Sequence, residues 1–438
     1  MKKKVALHNL GCKVNAYELE AMRQMLLEGG YEIVPFEASA DIYIINTCTV
    51  TNIADRKSRQ MLHKARAKNP KGIVVATGCY VQASAKRLEA DEAVDIIIGN
   101  NKKQELLSIL ADYFEETGKV QVVADINETD EYEALSISDS GEHTRAYIKV
   151  QDGCNQFCTY CIIPYMRGRV RSRDISEVKA EVERLAKAGY QEVVLTGIHL
   201  SSYAVETGEK DGLLKLIQAV HEVWGIERIR LGSLEPRIIT EEFVSAIVKL
   251  EKVCPHFHLS LQSGCDAILK RMNRRYSTKE YEEKCEILKK FYGQVALTTD
   301  IIVGFPGETE EEFAETKNFV QTIGFYETHI FKYSPRQGTK AATMPAQVEE
   351  TFKSNRSKEL IALGREQRQT FMKRFLGQEL SVLIEDKITI EETDYLLGHT
   401  KEYLQVIIKL EDDLVNKIIT VKAKDILASE YILGEFLK

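Results

Sequence analysis

A chain of 438 residues exceeds one ordinary domain, and 44% hydrophobic with 29% charged residues is the balance of folded globular pieces, not of long disorder. A net charge of −7 argues against a generally basic nucleic-acid binder and leaves that role to local patches. Nine cysteines occur without a recognisable secretory leader or any apolar run of about 18 residues, which argues against a disulfide framework and a membrane span. The expectation is a cytoplasmic protein whose thiols serve metal binding or catalysis.

The first elements in chain order are KVALHNLGC, DIYIINTC and GIVVATGC, short β-branched runs separated by helical patterns over 16–29 and 52–68. With a fourth run, VDIIIGN, they predict an open parallel α/β sheet domain over 1–124. An acidic stretch, 125–143, reads as a linker. From Arg145 the alternation resumes six times, through AYIKVQ, EVVLTG, RIRLGS, HFHLSLQ, ALTTDIIVG and THIFKYS. This predicts a partial (βα)6 TIM-like barrel over 144–370, with its chemistry at the carboxyl ends of the strands. Its first helix is marked by Asp174 as cap with Glu177 three residues on, by the stripe Val178, Val182 and Leu185, and by Gly189 as stop. A long helix near 348–375 leads into ELSVLIED, YLLGHT, YLQVIIK and KIITVKA, alternating runs that predict a small β-barrel over 371–438.

Directly after the first barrel strand, GCNQFCTYC places Cys154, Cys158 and Cys161 in a C-x3-C-x2-C spacing. Four thiolates would close the coordination of a 4Fe-4S cluster, whereas three leave one iron open for a ligand such as the amino and carboxylate groups of S-adenosylmethionine. An electron passed into the sulfonium would then release a 5′-deoxyadenosyl radical, chemistry that no side chain can start. The alternative is a zinc site, but a structural zinc normally takes four close ligands and no fourth stands in this loop.

A second regularity is independent of the first. Cys12, Cys48 and Cys79 each end one of the amino-terminal runs, so if those strands are neighbours the thiols converge on one sheet edge. Their separations match no compact metal motif, and three small buried residues remain the alternative. Cys254, Cys265 and Cys285 share no spacing and read as structural.

The C-x3-C-x2-C loop at a barrel's first strand end resembles the radical S-adenosylmethionine superfamily. There the resemblance implies cofactor contacts for Tyr160, beside the last cysteine, for Gly197 in TGI, and for Gln262 and Asp300 at later strand ends. An amino-terminal domain with three strand-end cysteines, then a radical barrel, then a small β-barrel resembles the methylthiotransferases along essentially the whole chain. That resemblance implies two 4Fe-4S clusters, one held by Cys154, Cys158 and Cys161 and a second by Cys12, Cys48 and Cys79, together with S-adenosyl-L-methionine. It makes the three barrel cysteines the catalytic centre and the final segment a TRAM-like domain that holds RNA.

Within the family, LGCKVNAYE, CNQFCTYCIIPYMRGRVRSR and SLEPR look most like the branch acting on threonylcarbamoyladenosine in tRNA. The isopentenyladenosine branch usually carries a glutamine-methionine pair where this chain has Lys13 and Val14. The implied partners are tRNA, a sulfur donor and a low-potential electron donor. The rival readings are methylthiolation of isopentenyladenosine or of a ribosomal-protein aspartate, and a non-enzymatic iron-sulfur RNA-binding protein. The threonylcarbamoyl arm carries a carboxylate that needs cations or donors. Arg167, Arg169, Arg171 and Arg173 alternate along PYMRGRVRSR and in an extended segment would form a rake for phosphates or that carboxylate, or else a solvated charge run. Arg336 is a further substrate-binding candidate, and DRKSRQMLHKARAK (55–68) a second basic stretch that could meet RNA. The final segment from Gln378 holds seven lysines against thirteen acids, the wrong sign for a phosphate-binding surface, although Tyr395, His399 and Tyr403 could stack on bases.

Overall fold

Runs such as IYIINT, apolar along their whole length, suit strands covered on both faces, and they pair side by side in a parallel sheet. In the computed structural model, which describes residues 2–115, 118–138, 144–409 and 414–437, the strands are β1 (Lys4–Asn9), β2 (Glu32–Val34), β3 (Ile42–Thr47), β4 (Ile73–Gly78), β5 (Ile96–Ile98) and β6 (Val120–Val122). All pair in parallel, in the order β2-β1-β3-β4-β5-β6. Parallel strands need crossovers, supplied by helices Lys13–Glu28, Asn52–Lys68 and Cys79–Glu89. Adjacent β1, β3 and β4 therefore end at one edge, where Cys12, Cys48 and Cys79 follow them.

The second unit begins with β7 (Arg145–Asp152), against which the two-residue β8 (Arg171–Ser172) runs antiparallel. Strands β9 (Glu192–Gly197) and β10 (Arg228–Leu231) extend β7 in parallel, and β11 (His256–His258), β12 (Ala296–Val303) and β13 (Glu327–Lys332) form a second parallel group. Isolated bridges Ile229–Val253 and Leu234–Leu259 span the seam between them. Helix Ile175–Lys187 shows why the pattern folds this way: Asp174 accepts from the Ser176 amide, and fully buried Val178, Val182 and Leu185 pack in the core with Ile148, Val150 and Val193. The opposite faces of the strands are left to line a lumen.

Helix Glu350–Lys373 packs on β13 and leads to β14 (Glu379–Ile390), β15 (Thr393–His399), β16 (Gln405–Lys409), β17 (Ile418–Leu427) and β18 (Tyr431–Phe436). These close into a barrel in the order β14-β15-β16-β18-β17, which leaves no open edge. The barrel is fastened to the starts of the central strands: Arg228 donates to the His399 and Ser381 carbonyls at 2.7 and 2.9 Å, and Arg230 to the Lys401 carbonyl at 2.9 Å. The architecture is thus the expected α/β one, with a small terminal β-barrel. The acidic connecting stretch is packed: Ile126, Glu133, Leu135 and Ile137 are buried, and Tyr17 donates to the Leu135 carbonyl at 2.6 Å. Residues 139–143 of that stretch lie outside the described residues. Among the described residues no helix is long and apolar enough to cross a membrane.

Candidate functional site

The loop after β7 is fixed by its backbone. Gly153 adopts φ +72°, and a Cβ there would fall 1.7 Å from the Arg169 carbonyl oxygen, so only glycine allows the chain to turn at this point. The Cys154 amide donates to the Gly168 carbonyl (3.0 Å), the Thr159 amide to the Met272 carbonyl (3.0 Å) and the Ala341 amide to the Thr159 carbonyl (2.8 Å). Cys154, Cys158 and Cys161 are held on one wall of a cavity of about 750 Å³. Burial pushes the Cys154 thiol up to about 11 and the Cys161 thiol to about 12. Such thiols stay protonated at neutral pH unless a metal displaces the proton. Arg274, which the sequence reading missed, donates to the Cys158 sulfur at 3.4 Å and to the Ser260 carbonyl at 3.2 Å.

The second trio follows the same plan. Cys12 opens the helix Lys13–Glu28, Cys48 follows β3, and Cys79 begins the helix after β4. Gly11, at φ +117°, brings the chain so near that an added Cβ would lie 3.1 Å from the Cys48 Cβ and 3.0 Å from the Asn15 amide nitrogen. The three thiols sense one another electrostatically, and burial raises Cys48 to about 11 and raises Cys12 as well. Cys12 is exposed and lines the 750 Å³ cavity. The same cavity is therefore lined by all three barrel cysteines and by a member of the second trio.

Behind Cys79 lies a buried charge network that joins the two units. Arg167 donates Nε to the Cys79 sulfur (3.3 Å), Nη1 to Glu18 (2.7 Å) and Asp152 (3.1 Å), and Nη2 to Asn15 (2.7 Å). Lys149 bonds Glu18 at 2.8 Å and Asp152 at 2.6 Å, and Lys103 reaches Glu18 at 3.2 Å. Burial opposes the Glu18 charge, yet Arg167, Lys103 and Lys149 together hold its carboxyl well below the usual range. Arg171 adds a further buried cation 4.0 Å from Asp152, and buried Glu133 accepts from the Lys103 amide. The Arg167 donor on the Cys79 sulfur is the kind of hydrogen bond that a thiolate-bound metal centre takes, and the donor set fits one. Each trio thus has one sulfur that accepts from a buried or half-buried arginine.

The residues expected to meet the cofactor share the main cavity: Tyr160, Gly197, Gln262 and Asp300 all line it. Gln262 holds a left-handed φ of +73°, with its amide on the Asp300 carbonyl at 2.8 Å, and Asp300 lies 3.4 Å from His258. The arginine rake does not form. Pro164 starts a short helix, Ile163–Arg167, that breaks the extended phase. Arg167 is fully buried in the network above, Arg171 donates to the Arg167 and Thr129 carbonyls, and Arg173 pairs with buried Glu181. Arg169 alone is exposed, over the Phe157 ring at 4.8 Å. Arg336 is likewise committed: it donates to Asn52 (2.7 Å), Thr49 (2.7 Å) and Asp55 (2.8 Å), clamping the sixth barrel strand end to the first domain. The aromatics of the last domain are not a free stacking surface either. Tyr395 and His399 are buried, and Tyr403 is stacked between His256 and His399 at 4.8 and 4.7 Å, plugging the floor of the lumen. Cys254, Cys265 and Cys285 are buried, Cys285 in the central core and Cys265 in a small apolar cluster against which Tyr160 packs.

A partial parallel barrel with three cysteines after its first strand is the arrangement of the Radical SAM superfamily, which matches residues 148–320, while the uncharacterized protein family UPF0004 matches residues 4–99. The chain is 42% identical over 419 residues to threonylcarbamoyladenosine tRNA methylthiotransferase MtaB of Bacillus subtilis (strain 168), covering 95% of this chain and 93% of that protein. It is also 42% identical over 403 residues to the enzyme of the same name from Aquifex aeolicus (strain VF5), with 92% and 96% covered. Among solved structures it resembles the radical S-adenosylmethionine methyltransferase TsrM of Kitasatospora setae, at a TM-score of 0.58 and 17% identity over 78% of this chain and 77% of that one, a likeness of fold. The chain belongs to the radical S-adenosylmethionine methylthiotransferase family.

Proposed function

We propose that this enzyme converts N6-threonylcarbamoyladenosine beside the anticodon of tRNA into its 2-methylthio derivative. The observation that carries the reading is that the barrel trio and Cys12 of the second trio line one cavity, which brings a radical trigger and a sulfur carrier to the same bound base. The cofactors are two 4Fe-4S clusters and S-adenosyl-L-methionine, which when bound supply a 5′-deoxyadenosyl radical and a methyl group. Cys154, Cys158 and Cys161 hold the first cluster and Cys12, Cys48 and Cys79 the second. Tyr160, Gly197, Gln262 and Asp300 position S-adenosylmethionine within the lumen.

The surrounding residues have separate tasks. Arg274 and Arg167 donate to the Cys158 and Cys79 sulfurs and orient the two loops that would hold the clusters; the plug around Tyr403 keeps water from entering through the barrel floor. Exposed Arg169, with Arg56 and Lys57 on the helix after Cys48, offers phosphate contacts to the anticodon arm. A sulfur donor and a low-potential electron donor complete the cycle, which runs in the cytoplasm where tRNA resides. Nucleoside mass profiling of a deletion strain tests the substrate: selective loss of methylthio-threonylcarbamoyladenosine is expected. Loss of the isopentenyl derivative instead would reject the reading.

A further inference from the structure

The lumen beneath the cysteines contains a lysine without a hydrogen-bonded or ion-paired partner among the described residues. Lys13 follows Cys12 directly and lines the shared cavity, into which it is exposed. Among the described residues it has no hydrogen-bonded or ion-paired acceptor. The other cations around it are all engaged: Arg274 with Cys158 at 3.4 Å, Arg368 with Gln405 at 2.8 Å, Arg145 with Glu385 at 3.1 Å and Arg230 with Glu192 at 2.7 Å. Of the two acids near Lys13, Glu192 is engaged by Arg230 at 2.7 Å, while Asp300 lies 3.4 Å from His258 Nε2, a buried nitrogen without a hydrogen-bond partner. The same wall is polar. Thr298 occupies one nitrogen each of His258 (3.0 Å) and His256 (3.3 Å), and the remaining His256 nitrogen, Nδ1, is buried without a partner. An unpaired buried nitrogen and an unpaired lysine in one lumen call for a ligand that brings both a carboxylate and neutral polar groups.

We propose that Lys13 is the specificity-determining residue of the reaction, pairing with the carboxylate of the threonylcarbamoyl arm while the arm's polar groups meet His256. The inference rests on the substrate reading above and adds the residue that enforces it. The arm leaves the base at the exocyclic nitrogen, separated from carbon 2 only by ring atom N1 and carbon 6. A base that offers carbon 2 to the two trios therefore holds its arm within reach of the residue next to Cys12. A hydrocarbon arm in the same place would leave the lysine and the imidazole desolvated and unpaired, and sites of this kind reject such analogues strongly. Of the arginines expected for this task, Arg167, Arg171, Arg173 and Arg336 are spent on Glu18, Asp152, Glu181 and Asp55, and Arg169 lies exposed over Phe157.

The test is equilibrium binding by the full-length, cluster-loaded enzyme of three anticodon stem-loop RNAs, carrying threonylcarbamoyladenosine, isopentenyladenosine or plain adenosine. Wild type is expected to favour the first over the others by roughly 10- to 100-fold, the scale of a charge-assisted contact. Lys13→Gln should bring that ratio within a few-fold of one, and Lys13→Arg should keep most of it. Because the readout is a ratio among RNAs, general damage to the fold does not imitate it. A Lys13→Gln enzyme that keeps the wild-type ratio overturns the inference and leaves the substrate reading standing. So does one that loses S-adenosylmethionine binding with the ratio intact. A wild-type enzyme with no preference for the threonylcarbamoyl RNA refutes the substrate reading, and the inference with it.

Discussion

Arg167→Ala separates the buried network from the solvent-facing rake that the alternating arginines suggest. The substitution removes donors from Glu18 at 2.7 Å, Asp152 at 3.1 Å, Asn15 at 2.7 Å and the Cys79 sulfur at 3.3 Å, all in a region closed to water. Lys103 and Lys149 remain on Glu18, so one partner is lost but the carboxylate is not abandoned. Breaking a buried ion pair in this way costs about 3–5 kcal/mol. For a unit of the size of one of these domains that lowers the midpoint of its thermal unfolding by roughly 6–20 °C. Calorimetry on the cluster-loaded protein should show this shift in the first transition, with iron released at the same temperature. Arg169→Ala, at an exposed position, should change stability by no more than about 0.5 kcal/mol and weaken RNA binding. If Arg167→Ala melts like wild type, keeps its iron and loses RNA binding as Arg169→Ala does, the network account is wrong.

Other substitutions divide the site further. Cys79→Ala should reduce iron from about eight to about four atoms per chain, measured on anaerobically prepared protein, with 5′-deoxyadenosine release retained; Cys158→Ala should abolish that release. Arg274→Met, which removes the donor to Cys158, should lower the rate of 5′-deoxyadenosine formation by roughly 10- to 100-fold and shift the cluster potential to more negative values, read by redox titration. His199 lines the cavity, and burial, aided by the charges of Arg274 and Arg237, lowers its imidazole to about 4 from the ordinary 6.5. The folded state therefore favours the neutral ring: its contribution to stability is present above 6.5 and is lost as the pH falls toward 4. His199→Gln should flatten the acid-unfolding curve in that window, and NMR of the ring should show no titration between pH 6 and 8.

How much of this was legible in the sequence depends on the range over which each feature is built. The six central strands, the capped helix at Asp174 and the strand-end positions of Cys12, Cys48 and Cys79 follow from local periodicity and turn residues, and those features stand where the pattern puts them. The two- and three-residue strands β2, β6 and β8 carry too few side chains for a period to register. The alternating arginines misled because Arg167 ends the short helix that Pro164 opens and Gly168, at φ +70°, turns the chain before Arg169, so a spacing of two no longer means one face. Arg274, Lys103 and Lys149 reach their partners across 116, 85 and 131 residues, a distance over which no sequence pattern operates. Glu18 was in view at the end of LGCKVNAYE, three positions after Asn15 on the same helix, but nothing in that local pattern signals its complete burial.

The most direct trial of the account is conversion in a defined mixture: cluster-loaded enzyme, S-adenosylmethionine, a chemical reductant, a sulfide source and tRNA carrying threonylcarbamoyladenosine, followed by mass spectrometry of the nucleosides. The account predicts 2-methylthio-threonylcarbamoyladenosine accompanied by 5′-deoxyadenosine, and neither the methylthio product nor iron beyond about four atoms per chain once Cys12, Cys48 and Cys79 are replaced. Formation of the methylthio product by an enzyme lacking that second trio, or its absence from the intact enzyme while isopentenyladenosine is modified, would contradict it.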